Sequence, residues 1–358
     1  HITTFRKDTY ETDSRNPEIE KASDLVTDLS RRDFTINSIA YSLETNELID
    51  PFSGLKDLAS GTISTPDDPI ISFSDDPLRM LRVCRFASTH GFSPDNQTYI
   101  AMKENIERIK IITKERIRDE INKLLVGKSP SMGIQTLVES GLSLYIIPEI
   151  NELKIEVDPK HHHKDVYEHT LAVLDGVPPK LTLRMGALLH DIAKPNTKGI
   201  ENGKVHFRHH EVVGARMTKK ILKGLKYDNK TIEDIALLVE QHLRPHTFKM
   251  GWTDSAVRRY IVDAGHMLED LNELVRADVT TKNKVKAKEI YENLDEMEKR
   301  IEEVKAKEEL SKIRPALSGD EIMEHFNIQP GPKVGVIMKA LYEQRINDGE
   351  VSKEDALK

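Results

Sequence analysis

The chain has 358 residues, 38% of them apolar, a net charge of −7 and one cysteine. That length supports two or three domains with cores of their own. No apolar run approaches a membrane span, so no membrane partner is expected. Cys84 excludes an internal disulfide, and the lone thiol fits a small core residue in a reducing cytoplasm.

In chain order, Ile2-Thr3-Thr4-Phe5 predicts a strand, and the polar stretch after it, as far as Asp28, predicts a loop. A short helix and a strand are expected between Arg31 and Asp50, then a turn at Pro51-Phe52-Ser53-Gly54 and a short strand at Ile63 to Thr65. From Asp76 the pattern is helical: Leu78 to Ala87, Gln97 to Arg108, Lys114 to Leu125 and Met132 to Ser140. Charge is unevenly spread. Residues 1–75 carry seven basic and fifteen acidic groups, residues 76–128 eleven and seven, so the helical stretch is a basic surface suited to phosphate or nucleic acid. A linker follows from Pro148 to Pro159.

Eleven of the fourteen histidines lie between His161 and His266. His169 falls beside the buried stripe of Tyr167, Leu171 and Leu174. His190 and Asp191 end an apolar helix running from Leu181 to Ala193 and stopped by Pro195. His209 or His210 precedes a helix, His242 follows one, and Asp278 lies on the apolar face of another, seven residues after Leu271 and three after Val275. One such histidine alone is more simply a hydrogen-bonded core residue. The recurrence of imidazole and carboxylate on successive helices is what a mixed nitrogen and oxygen metal site requires. The set resembles the HD superfamily of metal-dependent phosphohydrolases. That resemblance implies a divalent transition metal (Mn, Ni, Co, Fe or Zn) held by His169, His190, Asp191, His209 or His210, His242 and Asp278. His190 and Asp191 would serve catalysis, and His161, His162, His163 and His206 would be weaker candidates.

After Asp278, Ile290, Leu294, Met297, Ile301 and Val304 form a narrow heptad seam. It suits a helix packed on its own domain, or a partner helix in a homo-oligomer joined through residues 284–310. Pro315 ends that helix, and Gly319 to Phe326 with Val334 to Arg345 form a small helical tail.

The front half carries a second set of motifs. Arg31-Arg32-Asp33-Phe34-Thr35-Ile36-Asn37 sets two guanidinium forks beside an Asp and an Asn, a group able to hold a triphosphate and read a ribose. A helix N-terminus capped by Asp33 fits the same residues. With Asp50-Pro51-Phe52-Ser53-Gly54 and Asp75-Asp76-Pro77-Leu78-Arg79, the segment resembles the tRNA nucleotidyltransferases that add CCA to tRNA, and the related bacterial poly(A) polymerases. Glu115 to Glu120, Gly251 to Arg259 and Arg276 to Asn283 extend the likeness to the HD-containing bacterial subgroup.

The resemblance implies a mainly α protein: a remnant of an α/β nucleotidyltransferase head over residues 1–65, a helical neck for nucleotide and tRNA over 66–157, an all-α HD phosphohydrolase domain over 158–283 and a helical tail over 284–358. It implies nucleotide contacts by Arg32, Asp33, Asn37, Asp76, Arg79, Arg82 and Arg85, with Asp76 and Arg79 on one helix face as a template for CTP and ATP. The tRNA acceptor arm is the implied partner and Mg2+ the implied ion of transfer. The family's Gly-Gly-x-Val-Arg-Asp loop and Asp-x-Asp pair do not occur in the chain, and His1 stands where a third acidic residue is often found. The chain is therefore expected to be an N-terminally truncated member without polymerising activity of its own. A stand-alone HD phosphohydrolase or a poly(A) polymerase are the other functions the sequence admits.

Overall fold

The computed structural model describes residues 4–9, 18–154, 165–307, 314–349 and 351–357. The chain divides into two units, His1–Glu240 and Gln241–Lys358.

The first unit starts with a hairpin in which β1 (Arg6–Thr9) pairs antiparallel with β2 (Glu18–Lys21), Arg6 facing Lys21. α1 (Leu25–Ser30) follows, started by Asp24, whose carboxylate accepts from the Thr27 N–H at 2.8 Å. β2 and α1 occupy part of the stretch expected to be a loop. Six residues are too few to show a helical period, and the readable signal was the cap. The expected strand also starts later, at Arg6; Thr4 and Phe5 precede it, and His1, Ile2 and Thr3 lie outside the described residues.

A 3-10 turn at Thr35–Asn37 leads to the hairpin of β3 (Ala40–Ser42) and β4 (Glu47–Ile49), then to α2 (Gly54–Ser60). β5 (Thr62–Ile63) runs parallel to β6 (Ser93–Pro94). The helical body comprises α3 (Pro69–Asp75), α4 (Leu78–His90), α5 (Asn96–Glu104), α6 (Lys114–Leu125), α7 (Pro130–Glu139), α8 (Ser143–Ile146) and α9 (Glu149–Glu152).

α4 is its centre. Met80, Leu81, Val83, Cys84 and Ala87 are buried on it, against Ile117, Ile121 and Leu124 of α6 and Ile134 and Leu137 of α7. Cys84 is a buried free thiol whose pKa is pushed up by that burial. The approach of α7 to α4 depends on Gly133. A Cβ there would meet Leu124 Cγ and Ser88 Cβ at 2.8 Å and the Cys84 carbonyl oxygen at 2.9 Å.

The rest of the unit holds α10 (Val166–Gly176), α11 (Leu181–Leu189), α12 (Lys194–Thr197), β7 (Lys198–Glu201), β8 (Lys204–Phe207), α13 (His210–Gly224) and α14 (Asn229–Gln241). The β7–β8 hairpin departs from the all-α expectation for this stretch. Its turn is Asn202-Gly203, with φ of 51° and 73°, the left-handed pair that a two-residue hairpin turn needs. The buried Arg184 on α11 donates to the carbonyls of Val177 at 2.8 Å and Leu125 at 3.3 Å, tying α11 to the end of α6.

In the second unit a 3-10 segment (Arg244–Met250) precedes α15 (Asp254–Ala264), α16 (Leu268–Asp278), α17 (Lys284–Lys307), α18 (Gly319–Phe326), α19 (Pro332–Asp348) and α20 (Lys353–Ala356). The heptad seam is used at home. Leu294, Met297, Ile301 and Val304 are buried on α17, which packs on α15 and on residues 244–250. Those side chains already have their cover, so they do not present a seam to a partner helix. Leu317, Ile322 and Leu341 form a small core joining α18 and α19. No helix among the described residues is long and apolar enough to cross a membrane.

Two glycines test this packing. Gly133→Ala should destabilise the chain by roughly 1–3 kcal/mol, since the added methyl meets backbone as well as side chains. Gly224→Ala, where nothing lies within 4 Å of the new Cβ, should be neutral or stabilising by up to about 1 kcal/mol. Urea unfolding midpoints measure both, and equal midpoints would contradict the close α4–α7 contact.

Candidate functional site

Two groups of polar side chains stand out in the first unit. The first lines a cleft of about 440 Å3 formed by Arg6, Arg31, Arg32, Asp33, Asn37, Asp76, Arg79 and Arg82. Asp33 is buried under it, accepting from Asn37 Nδ2 at 3.0 Å and paired with Arg82 at 2.6 Å. It is not a helix cap: α1 ends before it and the 3-10 turn begins after it. Arg32 Nη1 donates to the Asn37 carbonyl at 3.0 Å. Behind them sits Asp28. Burial works against its charge, but the Arg31 guanidinium at 2.7 Å, the Arg6 N–H at 3.1 Å and Arg32 hold its carboxyl below the ordinary range. Arg6 belongs to no motif in the sequence, and only the β1–β2 pairing brings it here.

The geometry corrects two expectations. Asp76 and Arg79 do not share a helix face. Asp76 is extended, at φ −131° and ψ 94°, in the break between α3 and α4, where its Oδ1 accepts from the Leu78 N–H at 3.2 Å. Arg79 is on α4, with its guanidinium donating to Ser72 Oγ at 2.7 Å and to the Arg31 carbonyl at 2.5 Å. Arg85 does not line the cleft. Steps of three residues lag a full helical turn by about 60°, so two steps carry Arg85 roughly 120° from Arg79. It meets Glu120 instead, Nε to Oε2 at 3.0 Å, and lies 4.7 Å from the centre of the Phe86 ring.

The second group gathers around Asp191, which is buried in the turn after α11. His169 of α10 and His190, the C-cap of α11, place their Nε2 atoms 3.2 Å apart, and 3.4 Å and 3.2 Å respectively from Asp191 Oδ2. His210, the first residue of α13, brings Nε2 to 3.3 Å from Asp191 Oδ1. His209 is excluded from this group. With φ at 62° it turns its side chain outward, 81% exposed, and in doing so starts the helix that carries His210 inward. Lys194, which no sequence pattern singled out, reaches Asp191 Oδ2 at 2.5 Å.

The tautomers follow from the backbone. His190 Nδ1 lies 2.8 Å from the Ala187 carbonyl and His210 Nδ1 2.7 Å from that of Phe207. A carbonyl only accepts, so both Nδ1 atoms carry hydrogen and both Nε2 atoms are turned toward the carboxylate. Burial opposes ionisation of Asp191. Its contacts with His190, His210 and Lys194 outweigh that and hold the carboxyl well below the usual range. The donor atoms of His169, His190 and Asp191 all lie within 4.8 Å of one another. Convergent imidazole nitrogens and a buried carboxylate are the donor set of a divalent cation, so these residues fit one.

Of the remaining candidates, His206 lies on β8 with its ring against Gly199, while His161, His162 and His163 lie outside the described residues. In the second unit His242 is buried just after α14. Asp278, the last residue of α16, is 3.3 Å from His246 Nε2.

Fold and site together define a nucleotidyltransferase head on a helical body that also carries an HD domain. Residues 1–64 match the Poly A polymerase head domain, residues 91–154 the probable RNA and SrmB-binding site of polymerase A, and residues 161–279 the HD domain. The chain is 32% identical over 335 residues to the A-adding tRNA nucleotidyltransferase of Deinococcus radiodurans, covering 90% of this chain and 75% of that protein. It is 29% identical over 344 residues to the CC-adding tRNA nucleotidyltransferase of Thermus thermophilus, covering 93% and 76%. Its fold matches that of the Bacillus stearothermophilus CCA-adding enzyme in complex with CTP, with a TM-score of 0.65 and 22% identity over 98% of this chain and 75% of that one. The chain belongs to the tRNA nucleotidyltransferases, an enzyme family, as a member with an HD domain.

The Arg85–Glu120 pair is expected to be structural. Arg85→Ala leaves a buried carboxylate with only Lys123 beside it, at 3.1 Å. It should cost about 3 kcal/mol in urea unfolding, the low end for a broken buried pair because Arg85 is partly exposed. A loss below about 1 kcal/mol would return Arg85 to the pool of ligand-contacting arginines.

Proposed function

We propose that the chain acts in tRNA 3′-end maturation in the cytoplasm, with the cleft receiving CTP or ATP and the neck receiving the tRNA acceptor arm. Head, neck, HD domain and tail then correspond to residues 1–65, 66–157, 158–283 and 284–358. The observation that carries this reading is the convergence of five arginines with Asp33, Asn37 and Asp76 on one cleft. Guanidinium forks match phosphate oxygens bidentately, and Asp33 keeps Arg82 aimed. Two of the five N–H donors of Arg79 are committed to Ser72 and Arg31, which fixes the plane in which the others face a base edge, with the Asp76 carboxylate nearby in sequence to accept. Magnesium would accompany the triphosphate and neutralise its charge. Relatives named A-adding, CC-adding and CCA-adding lie at similar distances, so the choice of nucleotide rests on that base-edge pair.

Titration of the chain with ATP and with CTP tests the cleft. Arg82→Ala and Asp33→Ala should each weaken binding by about tenfold or more, the scale of a lost charge-assisted contact. Affinity unchanged in both variants would sink the assignment.

The cluster at Asp191 favours a second, accessory activity: phosphoester hydrolysis assisted by a divalent Mn, Ni, Co, Fe or Zn ion held by His169, His190, His210 and Asp191. An ion there would supply a nucleophilic water near neutral pH and would polarise a phosphoryl oxygen. The chain's own groups do the rest. Ala187 and Phe207 fix two rings through their carbonyls, and Lys194 pairs with the carboxylate. Asp191→Ala should abolish both bound transition metal, measured by elemental analysis, and hydrolysis of bis(p-nitrophenyl) phosphate. Hydrolysis that survives in this variant would show that the cluster is not its source.

A further inference from the structure

We propose that the solvent face of α13 is a second RNA-binding surface, which grips the phosphodiester backbone of the RNA that the chain takes as substrate. The inference rests on the tRNA reading above and adds a surface outside residues 91–154, the segment matched as RNA-binding.

Between Arg216 and Lys230 the sequence holds six cations and one carboxylate, Asp228, in a chain whose net charge is −7. Four of the cations are on α13. At about 100° per residue, Arg216, Lys219, Lys220 and Lys223 fall within an arc of roughly 100°. All four are exposed, while Gly214, Ala215, Thr218, Ile221 and Leu222 are buried on the other side. Lys226 and Lys230, also exposed, continue the basic run past the helix end. Among the described residues these six cations make one ion pair, between Lys219 and Glu233 at 2.5 Å.

This is unlike an ordinary solvated face. α17 shows the usual arrangement, with Lys288 beside Glu292, Arg300 beside Glu303 and Lys305 beside Glu302. On α13 the neighbours at three and four residues are like charges, Arg216 with Lys220 and Lys219 with Lys223, which repel. A row of like charges with a single acidic partner among the described residues is unfavourable alone and complementary to a polyanion. A lipid surface would need large apolar side chains beside the cations, and none between Arg216 and Lys230 is exposed. RNA phosphates, evenly spaced and independent of sequence, match ammonium groups stepped along a helix.

The test is the salt dependence of binding to a tRNA transcript that ends before its CCA. Each phosphate contact contributes roughly 0.7–0.9 to the slope of log affinity against log salt. Replacing Arg216, Lys219, Lys220 and Lys223 together by Gln should lower that slope by about three and weaken binding at low salt by about tenfold or more. Lys219→Arg, Lys220→Arg and Lys223→Arg combined should keep both, and all variants should unfold at or above the midpoint of the parent. An unchanged slope in the Gln variant, with the parent still binding tRNA, overturns this surface alone. No tRNA binding by the parent at low salt overturns the tRNA reading and this surface with it.

Discussion

A charge can be buried only if it is paired, and the first unit is organised around that constraint. Asp28 is held by Arg31 and the Arg6 amide, Asp33 by Arg82 and Asn37, Glu120 by Arg85, and Asp191 by Lys194 and three imidazoles. Three of these groups tie together elements that are distant in sequence. The first ties the opening hairpin to α1, the second ties the Arg-Asp-Phe run to α4, and the third ties α4 to α6. Shape at the cleft is thus set by ion pairs whose members are also the groups a ligand would use. A ligand phosphate there competes with carboxylates for guanidinium, which favours contacts that Arg82 and Arg31 can share over contacts that must displace a partner.

The two centres use opposite charge logic. In the cleft, arginines outnumber the acids and await an anion. At Asp191, rings fixed by backbone carbonyls turn Nε2 atoms toward a carboxylate, the donor set of a cation. The backbone makes both arrangements hold their aim. Arg79 is oriented by the Arg31 carbonyl, and His190 and His210 by those of Ala187 and Phe207. Main-chain acceptors do not rotate away, so they fix side-chain direction better than another flexible side chain would.

Much of this was legible from residues alone, because imidazole and carboxylate are scarce inside apolar helices and arginine pairs beside Asp are chemically pointed. What stayed hidden depends on backbone direction. The choice between His209 and His210 turns on one positive φ, which the sequence does not display. Asp76 and Arg79 have helical spacing but straddle a helix break, since Pro77 stands between them and disfavours helix in the residue before it. Arg85 continues a step of three that drifts off the face. The α17 seam has the same period whether its cover comes from the chain or from a partner. The β7–β8 hairpin, by contrast, was announced by Asn202-Gly203 and obscured only by the helical pattern on either side.

α13 joins these themes. Its first residue faces Asp191, its inner arc fills the core, and its outer arc is cationic. Imidazole nitrogens and a carboxylate converge at the start of the helix, and cationic side chains crowd along it. A cation at the first and a polyanion at the second would each bind the folded chain better than the unfolded one. By mass action both ligands must therefore raise the stability of the same helix. Helix α13 would then be where metal occupancy and RNA occupancy act on one folding equilibrium, with no direct contact needed to couple them.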